Sequence, residues 1–146
     1  MMMVRRRSMW LFCLAGLLLL FGLLVLIRYQ QRSHAPLSVN MEESFLYEYL
    51  IREDQVVFLC RIAIENPSGQ ESSFSIYAWS PEDVKGGLLL LGSMTGYVSG
   101  SDVLHILKGE KSQYFEVEFI GKAGGAKTKQ DRLLPSQIKI EEWTRE

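Results

Sequence analysis

From Met9 to Ile27 the chain carries 19 consecutive residues without a charge, most of them leucine or another large apolar side chain. As a helix rising about 1.5 Å per residue, such a run spans about 28 Å, close to the hydrocarbon thickness of a bilayer. A signal-peptide core is typically shorter, about 7 to 15 residues. Trp10 and Tyr29 stand near the two ends, where amphipathic rings favour the headgroup zone, and Arg28 and Arg32 close the far side. The best small-residue cleavage site, Ser33-His34-Ala35, ends eight residues past Ile27 and would leave Pro36 just after the cut. Cys13 follows the bulky Trp10, Leu11 and Phe12, so no lipoprotein signal is present. The reading is a retained signal anchor over residues 9–27, with secretion after cleavage near Ala35 as the alternative.

Arg5, Arg6 and Arg7 outnumber Arg28 and Arg32. By the positive-inside rule this places residues 1–8 in the cytoplasm and the rest of the chain, past a polar linker at 28–42, outside it. Translation from Met9 would remove the arginine triplet and reverse the bias. Gly16 and Gly22 are six apart, which gives no small-xxx-small pattern for helix pairing.

All 17 acidic residues lie beyond residue 40, against 11 basic residues from Ser33 onward, a net of −6. Such a domain does not suit general nucleic-acid binding, which needs clustered Lys and Arg to neutralise phosphates. The two cysteines fall in different segments, Cys13 in the apolar run and Cys60 in a strand-like stretch, and form no disulfide framework.

Beyond the linker the pattern changes to period two, which predicts strands over residues 43–146. A tight loop at Glu53-Asp54 sets Phe45, Tyr47, Tyr49 and Ile51 opposite Ile62, Cys60, Phe58 and Val56 on one apolar face. The other face mixes Leu46, Glu48 and Leu50 with Leu59, Val57 and Gln55. Asn66-Pro67-Ser68 resembles a glycosylation sequon that its proline excludes. A third strand points Phe74, Ile76 and Ala78 inward and leaves Tyr77 and Trp79 opposite, and Ser80-Pro81-Glu82-Asp83 starts a short helix. Gly92, Gly96 and Gly100 fit neither a dinucleotide nor a P-loop pattern and are expected at turns between short strands. Lys108-Gly109-Glu110-Lys111 predicts a second hairpin with Leu104 opposite Phe115. Seven or eight short strands predict an all-β fold, a small antiparallel sandwich that matches immunoglobulin and fibronectin domains in size and strand number only. A small open β-barrel is the competing outcome.

No catalytic constellation emerges. The only histidines are His34 in the linker and His105 on a strand, no G-x-S-x-G elbow is present, and no spacing of His, Cys or acids suits a metal. No cofactor is implied. Leu46, Leu50, Val57 and Leu59, with Tyr77 and Trp79 alongside, form an outer face suited to a protein partner. Lys122, Lys127 and Lys129 in the loop 121–130 offer a mobile cationic contact for an anionic surface. The expectation is a non-enzymatic binding or structural module of a membrane or envelope assembly. A carbohydrate or small-ligand binder, stacking on Tyr77, Trp79, Tyr97 or Trp143, is the alternative, and a hydrolase built around His105 comes behind it.

Overall fold

A computed structural model describes residues 3–33, 35–129, 131 and 133–143. They divide into two units, residues 1–35 and 36–146. The first is a helix, α1 (Met3–Ser33), in which the 18-residue window Leu14–Gln31 is long and apolar enough to cross a membrane, with none of that window buried.

The second unit holds seven antiparallel strands: β1 (Ser38–Arg52), β2 (Gln55–Glu65), β3 (Ser72–Trp79), β4 (Ser93–Tyr97), β5 (Leu104–Ile106), β6 (Ser112–Lys122) and β7 (Gln137–Trp143). A one-turn helix, α2 (Pro81–Lys85), follows β3. Where two facing layers were expected, all seven strands belong to one open sheet. Its order is β1, β2, β6, β4, β3, and β7 takes one edge of β3 while β4 and β5 share the other. One apolar cluster fills its inner face, with Phe58, Phe74, Ile76 and Phe119 fully buried. The Leu37 amide donates to Glu142 Oε1 at 2.7 Å, joining the residue just before β1 to β7 at the sheet's opposite end.

The polar stretch expected as a linker is helical to Ser33 and enters β1 at Ser38. Within the first hairpin the predicted register holds from Arg52↔Gln55 to Glu48↔Leu59, and then Leu46 pairs with Cys60. Tyr47 is thus the extra residue of a bulge, which turns Leu46 and Phe45 before it to the opposite face. Leu46, expected outside, is 7% exposed, whereas Phe45 and Tyr47, expected inside, are 49% and 43% exposed. A second irregularity spans Asn40 to Phe45, where the chain leaves the ladder. Asn40 Oδ1 there accepts from the Glu42 and Glu43 amides, and Ser44 Oγ donates to the Asn40 carbonyl and accepts from the Ala63 amide.

The second predicted hairpin does not form, although its inward side chains are the predicted ones. Leu104 lies opposite Phe74 and Phe115 opposite Ile62, so β5 and β6 pair with different strands. Gly109, at φ +92°, donates its amide to the Gly69 carbonyl, and the buried Asn66 donates Nδ2 to both the Gln70 and Glu110 carbonyls. These bonds tie the β5–β6 turn to the β2–β3 turn and draw the two strands apart.

Candidate functional site

Directly opposed residues in a sheet share a face. Register therefore places Leu50, Val57, Ile120, Thr95 and Tyr77 in one row across the outer face, from β1 through β2, β6 and β4 to β3. Of the residues expected to meet a partner, Leu50 and Leu59 are half-buried, Tyr77 is exposed and Trp79 lies one position further along β3. Val57 is only 3% exposed, and Leu46 leaves the set altogether for the core. Near the bulge the outer face carries a polar group beside Tyr47, the residue that period-two reading had turned inward. Tyr114 donates to Glu43 Oε2 at 2.6 Å, and Arg61 lies 4.9 Å from the Tyr114 ring centroid and 3.5 Å from Glu116. Burial first, and then the Glu116 carboxylate, raise the Tyr47 hydroxyl above its ordinary pKa; the bond to Glu43 does the same for Tyr114.

The three lysines of the expected cationic loop part company. Lys122 is the exposed last residue of β6 and Lys127 is exposed in the loop, while Gln130 lies outside the described residues. Lys129 is buried: its Nζ sits 3.1 Å from Asp83 Oδ2, 2.9 Å from the Leu133 carbonyl and 4.6 Å from the Phe58 ring centroid. The pair's side chains are 3% and 7% exposed. Asp83 also accepts from Ser80 Oγ, and the Lys129 amide donates to the Tyr49 hydroxyl at 2.7 Å. Lys129 thus has its charge paired inside the protein, as a buried ammonium requires. Glu82, beside it, would be raised by burial, but bonds from its own backbone amide and from Ser80 and Ser136 outweigh that and lower it. The helix start and its acidic first turn were legible in sequence, but the expected hydroxyl cap does not form, because Ser80 Oγ donates to the Glu82 and Asp83 carboxylates instead of accepting a backbone amide; nothing in sequence marked Asp83 and Lys129, 46 residues apart, as a pair.

Tyr77 and Trp79 line one recess of about 340 Å³ with Ser93, Gln137 and Lys139. Tyr97 and Trp143 do not join them: Tyr97 is opposite Glu118, and Trp143 is opposite Ser73 and donates its indole N–H to Ser75 Oγ. His105 Nδ1 is 2.9 Å from Ser73 Oγ. Both belong to the outer, exposed side of β3 and β5, and an exposed hydroxyl–imidazole pair lacks the enclosed, oriented base that nucleophilic catalysis requires. Among the described residues no group of three or more His, Cys, Asp or Glu is placed to hold a metal ion.

Cys60 is fully buried in β2, and desolvation pushes its thiol up to about 12. Iodoacetamide at pH 8 is expected to leave the folded chain unlabelled at this position and to label it in urea, as read by mass spectrometry. The unfolded thiol ionises near 9 and the folded one near 12, so the folded state retains the proton across that interval. Stability therefore falls as pH rises from about 9 to about 12, and Cys60→Ala removes that part of the slope.

Comparison with protein-family models, with curated proteins and with solved structures returned no match.

Proposed function

We propose that this chain is a single-pass membrane protein whose N-terminus lies in the cytoplasm and whose β-domain, outside the cytoplasm, is a non-enzymatic binding module of a membrane or envelope assembly. The observation that carries the reading is the outer-face row Leu50–Val57–Ile120–Thr95–Tyr77, apolar at three positions and aromatic at the last, joined to a chain with an uncovered apolar helix. Large apolar side chains gathered on an open sheet face suit a flat protein partner better than a small ligand. In finer detail, the single sheet, the single core and the Leu37–Glu142 bond between its ends favour an open barrel over an immunoglobulin-like sandwich.

A photocrosslinker at position 59 of the full-length chain in native membranes is expected to give one discrete protein adduct, lost in Leu50→Ser while the domain still unfolds cooperatively. Absence of an adduct, or its survival in Leu50→Ser, overturns the partner surface. Protease shaving of intact cells is expected to digest the β-domain; sparing it overturns the orientation, and a mature N-terminus at Pro36 overturns the anchor.

A further inference from the structure

The geometry points to a second site on the same domain: the recess at the β3–β4–β7 end of the outer face takes an anionic sugar, with Trp79 as its stacking platform and Lys139 as its charge partner. The platform is built in. A Cβ on Gly92 would lie 3.1 to 3.2 Å from Cζ3, Cε3 and Cη2 of Trp79, so the six-membered ring of the indole lies against the bare backbone of residue 92. Held there, the side chain is still 44% exposed. A large aromatic ring supported from behind and open to solvent offers apolar area at little entropic cost, and the C–H face of a pyranose ring matches it.

Polar groups surround the platform on both sides. Ser93 is opposite Trp79 on β4 and Gln137 is opposite it on β7, while Lys139 is opposite Tyr77. A hydroxyl, an amide, a phenol and an ammonium next to one aromatic face form the polar complement that fixes a sugar's orientation. Among the described residues, Lys139 is the only charged one lining the recess. The next outward carboxylate along β7, Glu141, is opposite Ser75, one pair beyond the aromatic residues. In a domain of net negative charge, a recess lined by a single cation selects a sugar bearing a carboxylate over a neutral one. This site shares Tyr77 with the proposed partner row, but it is tested at Trp79 and Lys139 whereas that row is tested at Leu50 and Leu59, so either can fail without the other.

The test is equilibrium binding by the full-length chain in detergent micelles of a glucuronate-containing oligosaccharide, its amidated counterpart and the corresponding glucose oligosaccharide. Saturable binding of the glucuronate form is expected, at least about tenfold tighter than either neutral form. Lys139→Gln is expected to erase that preference while keeping weak binding of all three, and Trp79→Ala to weaken all three by about tenfold or more. Trp143→Phe, outside the recess, is expected to change none of them. Unfolding midpoints of each variant report the fold, and the exposed Lys139→Gln keeps the test decisive if Trp79→Ala fails to fold. No saturable binding, equal affinity for charged and neutral forms, or a preference that survives Lys139→Gln overturns the proposal.

Discussion

Replacing Lys129 with methionine is expected to destabilise the β-domain by roughly 3 to 5 kcal/mol, because it leaves the Asp83 carboxylate buried with the Ser80 hydroxyl and no cation. Methionine keeps most of the side chain's apolar length, so the loss is electrostatic rather than a cavity. Asp83→Ala is expected to cost a similar amount for the complementary reason, since the ammonium then has only the Leu133 carbonyl and the Phe58 ring. Against a total stability of about 5 to 15 kcal/mol for a typical domain, either change removes a large share and lowers the unfolding midpoint by on the order of 15 °C. The double variant Asp83→Ala/Lys129→Met is expected to be less destabilised than the sum of its single variants, by at least about 1.5 kcal/mol, because no charge remains unpaired. Urea unfolding of the four proteins measures that coupling. Additive single effects would show that the pair acts as two separate solvated charges.

Gly96→Ala is expected to cost about 3 kcal/mol, more than any other single added methyl at the 92, 96 and 100 positions. A Cβ there would lie 2.5 Å from Ile76 Cγ2, 2.8 Å from Val117 Cγ1 and 2.9 Å from Phe119 Cε1, and all three neighbours are buried side chains of the core. Nothing at the site is the free end of a flexible side chain, so strands must separate to admit it. Gly100→Ala has open space around it and pays only for its φ of +82°, on the order of 1 kcal/mol. Combining Gly96→Ala with Ile76→Ala removes the closest contact, and the pair is expected to cost less than its two parts added together. Thermal unfolding of the set checks the order; equal effects at 96 and 100 would show that backbone conformation, and not packing, sets both.

These glycines also show where sequence reading stopped. Their spacing of four suggested turns, which holds for Gly100, but Gly96 lies within β4 and Gly92 lies against an indole. One letter code stands for three physical causes, and two of them are decided by residues far away in the chain. Alternation along β2 and β3 was legible because every second residue there meets one core: Phe58, Cys60, Ile62, Phe74 and Ile76 are all inward as their pattern predicts. In β1 the same rule failed at Tyr47, since a bulge adds one residue without a local sequence mark. The recess was half-legible. Tyr77 and Trp79 were visible as outward aromatics, whereas Gln137 and Lys139 came beside them through the pairing of β7 with β3, which no local turn announces. Pairing partners of β5 were lost for the same reason.

The excursion between Asn40 and Phe45 has a meaning for crowding. β1 is an end strand of the open sheet, and a long, regular end strand is a template on which a second chain can extend the ladder. Here the Glu42 and Glu43 amides are already taken by Asn40, so they do not offer themselves to a sister strand. For copies held side by side in one bilayer, as proposed above, collisions between identical edges are far more frequent than in dilute solution. An edge interrupted in this way pairs poorly with its own copy, whatever brings the copies together.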